Sequence, residues 1–226
     1  YETIVKQQMA RLVSSGLYDW CDLIEVTCVK TDGDFEPVRE LFTGYDKVKL
    51  NEYKNNDFEF EGVNKVWEYS QTHSGKAFYF HTKGVSNKYK SKEDQTVSER
   101  KVKGVKWWKE AMEYFLIDNF KECLNKLDSF DQCGLNMNNR WWWGNFWWVN
   151  LSWVYSNPKP NHGDRWYYEA YLNQYRNPRF HEFYHFEFNP YYTDLPNDIY
   201  RDTESYKDSK IELIQASYGT LGEQQD

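Results

Sequence analysis

Hydrophobic and polar positions alternate along the chain with two periods, one helical and one typical of strands. Apolar residues that recur every three or four positions predict helices over 2–15, 62–73, 104–127, 150–156 and 164–174. Short apolar or aromatic runs predict strands over 22–29, 46–50, 76–81, 131–137, 145–149 and 181–188. The polar, lysine-rich stretch 85–103 is expected to form an exposed loop.

This alternation of helices and strands predicts an α/β fold with a mainly parallel sheet flanked by helices. Ligands of such sheets bind beyond the carboxyl ends of the strands. We expect one domain over 1–190, followed by a polar C-terminal extension over 191–226 that packs on it and frays at its end.

Composition narrows the function classes. The net charge of −7 argues against a nucleic-acid partner, because contact with phosphates needs a basic surface. No apolar run approaches the length of a membrane span. The four cysteines form no CxxC pair and fit free thiols in a reducing compartment, so a cytoplasmic location is expected. Aromatic residues make up 19% of the chain, which suits sugar stacking as well as a core or an interface.

The first candidate site lies at the end of the aromatic strand 76–81 and consists of His81, Thr82, Lys83 and Gly84. A glycine lets the backbone turn close to a ligand, Lys83 is a point charge suited to phosphate, and His81 can donate a hydrogen bond. An ordinary turn with a capping histidine explains the same residues equally well.

The second candidate site is the GNFWW segment at 144–148. In a strand, Trp147 and Trp148 face opposite sides, so one can lie in the core while the other lines a cleft. Asn145 offers both a donor and an acceptor to a hydroxyl-rich ligand. Burial of every indole in the core or in an interface remains open.

Carboxylates and histidines near the C-terminus supply further candidates. Asp164 and Glu169 lie on the predicted helix 164–174, where either could be a general base or an ordinary surface carboxylate. His181 and His185 are spaced for a metal only on a helix, and in the predicted strand they are structural histidines.

Several segments together resemble a family of small bacterial and viral glycosyltransferases of the GT-A type. The matching pieces are QQMARLVSSGLYD (7–19), VWEYS (66–70), FYFHTKGVS (78–86), the long segment 107–136, GNFWWVNLSWV (144–154) and DRWYYEAYL (164–172). They lie between residues 7 and 172 of the chain. The HTKG and GNFWW pieces are the specific ones.

The resemblance implies a hexosyltransferase-like enzyme with a Rossmann-like sheet. It would take a nucleotide-diphosphate-sugar donor (UDP-, GDP- or dTDP-sugar) and transfer the sugar to an acceptor hydroxyl. The HTKG segment stands where related enzymes carry a metal-binding DxD, so Lys83 and His81 are expected to neutralise the diphosphate, and a role for Mn²⁺ or Mg²⁺ stays open. Glu169 is the preferred base and Asp164 the second choice. Asn145, Trp147 and Trp148 would bind sugar or acceptor.

A GT-A sheet normally opens with a strand before its first helix, whereas this sequence starts at that helix. The first strand is therefore expected to be trimmed or lost. A non-catalytic carbohydrate-binding or assembly protein on a degraded transferase fold is the main alternative. A module whose tryptophans form an oligomer interface is a third interpretation.

Overall fold

The computed structural model describes residues 1–82, 95–163 and 165–185. Its α-helices are α1 (Glu2–Ser15), α2 (Leu17–Trp20), α3 (Glu36–Glu40), α4 (Phe60–Ser70), α5 (Gln95–Glu113), α6 (Phe120–Leu127), α7 (Leu151–Tyr155) and α8 (Arg165–Ala170). A π-helix (Tyr114–Asp118) joins α5 to α6, and a 3₁₀ turn (Tyr171–Asn173) follows α8. The strands are β1 (Ile24–Val29), β2 (Val48–Tyr53), β3 (Lys76–Tyr79), β4 (Gln132–Gly134), β5 (Met137–Asn138), β6 (Trp141–Trp142), β7 (Trp147–Asn150) and β8 (Phe180–Glu182).

The architecture is mixed α/β, as predicted, but it is built from small sheets of short strands. Strands β1 and β2 pair in parallel, and a four-stranded sheet has the order β3-β7-β4-β8. Strand β7 runs antiparallel to both of its neighbours, whereas β4 and β8 are parallel. Strands β5 and β6 form a separate hairpin. The continuous, mainly parallel sheet expected from the sequence is therefore not formed by the described residues.

The reversal of β7 has a local cause. A parallel connection needs a long crossover that is usually helical. The helices α5 and α6 lie between β3 and β4, which consequently run in the same direction. Only the β5–β6 hairpin and a tight turn lie between β4 and β7, so β7 returns antiparallel between them.

Several helix boundaries differ from the sequence prediction. The helix predicted over 104–127 is interrupted by the π-helix, and α5 begins at Gln95, inside the stretch predicted as a loop. Helix α1 matches its prediction, and it ends at Gly16 with a φ of 80°. Strand β8 is shorter than the predicted 181–188, of which 186–188 lie outside the described residues. The predicted extension 191–226 also lies outside them.

Two apolar clusters cover the two faces of the four-stranded sheet. One face packs Trp148 with Met112, Leu116 and Phe120 from the long helical segment. The opposite face packs Trp147 with Val63 of α4 and Tyr168 of α8. The alternation of Trp147 and Trp148 across β7 thus follows the prediction for a strand, and it makes β7 the centre of the core. No helix among the described residues has the length and apolarity of a membrane span.

Candidate functional site

His81 is held immediately beyond the end of β3 by contacts from two distant segments. Its Nε2 lies 2.9 Å from the carbonyl oxygen of Gly144 and therefore carries the proton that is donated. Its own carbonyl oxygen accepts a hydrogen bond of 3.1 Å from Nε2 of Gln8 on α1. Both the ring and the backbone of His81 are thus positioned where the sequence predicted a binding site.

Glu59 joins His81 to the GNFWW segment. It is the residue before α4, and its Oε1 lies 3.5 Å from Nδ1 of His81. Its other carboxylate oxygen, Oε2, accepts a hydrogen bond of 3.4 Å from Nδ2 of Asn145. Since Nε2 of His81 faces a carbonyl and Nδ1 faces this carboxylate, a protonated ring can donate on both sides.

Asn145 is fully buried, with a backbone φ of 56°. Asparagine tolerates this left-handed conformation better than most residues do. Its amide group donates to Glu59, and its Oδ1 accepts a hydrogen bond of 2.8 Å from Nε1 of Trp147. The amide orientation is therefore fixed from both ends.

Tyr79 relates the predicted base, Glu169, to Glu59, because the charges of both carboxylates act on its phenol. The phenol is fully buried, and its pKa is raised well above its ordinary value, first by burial and then by the charges of Glu59 and Glu169. Glu169 on α8 is 9% exposed. Glu59 thus joins His81 to Asn145, and the charge of Glu169 acts on the same phenol as that of Glu59, while Tyr168, the residue before Glu169, packs in the same apolar cluster as Tyr79.

A buried ion network lies behind His81 and fixes α1 against α5. Glu113, 3% exposed, accepts from Lys109 at 3.1 and 3.2 Å, from Arg11 at 3.0 Å and from Gln8 at 3.3 Å. Arg11 also donates two hydrogen bonds, of 3.0 and 2.7 Å, to the carboxylate of Asp118. Because Gln8 bonds to both Glu113 and His81, the network determines where the His81 backbone lies.

Trp147 and Trp148 are 1% and 2% exposed. Trp147 stacks on Tyr79 and Trp148 on Phe78, each with ring centroids 4.9 Å apart. Neither indole presents a face to a sugar, because core residues cover both sides of the sheet at this point. Of the three residues predicted to bind sugar or acceptor, Asn145 contacts Glu59 directly, and Trp147 is joined to the same cluster through its hydrogen bond to Asn145.

The remaining predicted site residues either lie outside the described residues or have surroundings of their own. Thr82 is half-buried directly after His81, whereas Lys83, Gly84 and Asp164 lie outside the described residues. His181 packs on the rings of Phe130 and Phe183, and Nδ1 of His185 lies 3.1 Å from Glu182, so they have separate surroundings. Within the described ranges, no three His, Cys, Asp or Glu side chains are grouped to hold a metal ion.

Glu59 is the member of this cluster that was not predicted from the sequence. It lies in the acidic stretch DFEFE at 57–61, directly before the predicted helix, where carboxylates are common for reasons of helix capping. Its contacts with His81 and Asn145 depend on the packing of α4 against β3. Only that tertiary arrangement distinguishes Glu59 from its acidic neighbours.

Replacing Gly144 with alanine is expected to destabilise the protein by about 2–5 kcal/mol. Gly144 has a φ of 85°, and an added Cβ would lie 2.5 Å from Sδ of Met112 and 2.6 Å from Nε1 of Trp108. The left-handed conformation costs roughly 1–2 kcal/mol for alanine, and overpacking adds about 1–3 kcal/mol. Urea denaturation measures the effect.

Gly44→Ala is the matched control, since Gly44 has the same φ of 85° with no atom within 4 Å of an added Cβ. Its free energy of unfolding should fall only by the cost of the left-handed backbone conformation, about 1–2 kcal/mol. Equal losses in the two variants would contradict the tight packing of the 144–145 turn against α5.

Comparison of the chain with protein-family models, with curated proteins and with solved structures finds no match.

Proposed function

We propose that the protein is a glycosyltransferase that moves a sugar from a nucleotide-diphosphate-sugar donor to an acceptor hydroxyl. The observation that carries the proposal is the contact of Glu59 with both His81 of the HTKG segment and Asn145 of the GNFWW segment. The DRWYYEAYL segment packs Tyr168 in the same apolar cluster as Tyr79, and the charge of its Glu169 acts on the Tyr79 phenol together with that of Glu59. These are the segments on which the resemblance to GT-A glycosyltransferases rests.

In the proposed reaction the donor diphosphate lies at the end of β3. His81, whose ring can be protonated between Gly144 and Glu59, and Lys83, which follows it in the sequence, neutralise the phosphates. The acceptor oxygen forms a bond to the anomeric carbon, and the bond from that carbon to the phosphate oxygen breaks. The nucleoside diphosphate leaves with the electron pair, and Glu169 takes the hydroxyl proton.

The sheets that the described residues form are loosely compatible with a Rossmann-like GT-A fold, in which a further strand would connect them. Helix α4 packs against both β1 and β3, which are not paired with each other. An added Cβ at Gly62 on α4 would lie 2.8 Å from the ring of Tyr79 on β3 and 3.4 Å from Oγ1 of Thr27 on β1. One further strand between β1 and β3 would join the two sheets into one.

Donor binding tests the proposal directly. With UDP-, GDP- or dTDP-sugars at about 100 times the dissociation constant, the matching donor should add about 2.7 kcal/mol of stability. This corresponds to a rise in melting temperature of about 5–10 °C. The matching donor should also be hydrolysed slowly to the nucleoside diphosphate. Absence of both effects with every donor would overturn the proposal.

His81→Ala should remove the stabilisation by the donor. The control is His73→Ala, because His73 is an exposed histidine that stacks on Tyr69 beyond the opposite end of α4. Donor stabilisation should persist in that variant. Equal donor stabilisation in both variants would contradict the position proposed for the diphosphate.

A further inference from the structure

A surface depression of about 590 Å³ lies beside α8, and its lining residues include neither His81 nor the residues that contact His81. Aromatic and polar side chains line it, and we call these two sets its aromatic floor and its polar edge. They are Trp141, Trp166 and Tyr167, and Asn139, Arg140 and Gln174 respectively. Trp166 is 55% exposed, which makes it the most exposed tryptophan among the described residues.

The aromatic floor is ordered by stacking. The rings of Trp166 and Trp141 have centroids 5.7 Å apart and an interplanar angle of 27°. Trp141 is half-buried on β6, so it supports Trp166 from beneath. An exposed indole that is held on a second indole offers a flat apolar surface to a ligand. Because the ring is already held in place, little side-chain entropy is lost when a ligand binds.

The polar edge carries an unusual turn. Asn139 and Arg140 connect β5 to β6 with φ values of 48° and 71°. Such a two-residue turn favours Asn-Gly, and a bulky side chain in its second position costs free energy. Nδ2 of the buried Asn173 donates a hydrogen bond of 2.9 Å to the carbonyl oxygen of Arg140 and holds the turn in place. The turn therefore keeps an arginine where glycine would be more stable.

The polar groups at this edge are available to a ligand. The side chains of Asn139, Arg140 and Gln174 are exposed and make no hydrogen bond to other parts of the chain that the structure describes. Amide and guanidinium groups around an aromatic plane can donate to and accept from ring hydroxyls while the plane covers the C–H face of the sugar. This combination fits a saccharide.

We infer that the depression is a saccharide-binding subsite, with Trp166 as its stacking platform. Its use as the acceptor subsite rests on the proposed function. Trp166 and Glu169 lie three positions apart on α8, so their Cβ atoms are about 5–6 Å apart. A saccharide stacked on Trp166 thus lies one helical turn from the proposed base.

Binding is tested without any donor, by titrating the full chain with a panel of neutral and acidic oligosaccharides and recording tryptophan fluorescence. Saturable binding of at least one oligosaccharide is expected, and Trp166→Ala should weaken it by about tenfold or more. Trp166→Phe should recover part of the affinity. The matched control is Trp20→Ala, since Trp20 is 49% exposed and packs beside Phe120 and Trp148 in the other cluster.

No binding to any member of the panel would overturn the subsite, as would equal affinity in the wild type and a folded Trp166→Ala. Circular dichroism establishes that the variants are folded. The result is independent of the donor experiment: oligosaccharide binding at Trp166 without donor binding would keep the subsite and remove the transferase proposal. Donor turnover in the wild type, together with unchanged oligosaccharide binding in Trp166→Ala, would keep the transferase proposal and remove the subsite.

Discussion

Glu169→Gln is expected to lower the rate of sugar transfer by about 10²- to 10⁴-fold while leaving donor binding intact. Glutamine has nearly the same shape but cannot take the proton of the acceptor hydroxyl. Glu169 is nearly buried near Tyr79 and Glu59, so bulk water offers little substitute for it. Initial rates with the matching donor and an oligosaccharide acceptor, together with donor titration, measure the two quantities separately.

Glu68→Gln is the control for this experiment. Glu68 is a glutamate near the C-terminal end of α4 and forms an ion pair with Lys65 at 2.8 Å. Its replacement should leave the transfer rate unchanged. Retained transfer in Glu169→Gln would contradict the assigned base and would favour Asp164, the second carboxylate predicted from the sequence. A wild type that binds oligosaccharides but never consumes a donor would favour the non-catalytic alternative.

Glu113→Gln is expected to reduce the free energy of unfolding by about 3–5 kcal/mol, a typical loss when one partner of a buried ion pair is removed. The substitution keeps the side-chain volume and removes the charge that faces both Lys109 and Arg11. Lys109 would keep a buried ammonium group without an anion beside it. The midpoint and slope of urea denaturation measure the change.

The chain offers a closely matched control for the buried pair. Lys126 and Glu122 form an i,i+4 pair with an N···O distance of 3.0 Å, similar to the pair of Lys109 and Glu113, but at the surface of α6. Glu122→Gln should leave the urea midpoint almost unchanged, because solvent screens an exposed pair. Similar losses in both variants would contradict the account of the ion network.

The helices and strands were largely predictable because the apolar period reports which face of an element is buried. Helix α1, with its end at Gly16, and the alternation of Trp147 and Trp148 on β7 are direct consequences of that pattern. The place of His81 near the end of a short aromatic strand was predictable for the same reason, although β3 ends at Tyr79, two residues before the predicted end. Each of these features depends on residues close together in the sequence.

The π-helix was not predictable because tertiary contacts stabilise it. Its altered hydrogen-bond register leaves carbonyl groups for other partners. Nε1 of Trp148 donates to the carbonyl oxygen of Leu116 at 2.8 Å, and Nδ2 of Asn119 donates to that of Tyr114 at 2.9 Å. The apolar period of 104–127 predicts one continuous helix. It contains no information about the hydrogen bond that Trp148 of β7 donates to this segment.

The burial of both indoles was left open by the sequence for a related reason. Alternation assigns Trp147 and Trp148 to opposite faces, but it does not say whether each face is covered. Helices α5 and α6 cover one face and α4, α7 and α8 the other, so both become core residues. The exposed aromatic platform is instead formed by Trp141 and Trp166, which are 25 positions apart in the sequence.

The central claim is that the end of β3 binds the diphosphate of a sugar donor. A crystal structure of the full chain with the nucleoside diphosphate of the matching donor tests it most directly. We predict phosphate oxygens within hydrogen-bonding distance of Lys83 and close to the charged ring of His81, whose two nitrogens still face Gly144 and Glu59. A diphosphate bound elsewhere on the chain, or none at a saturating concentration, would contradict it.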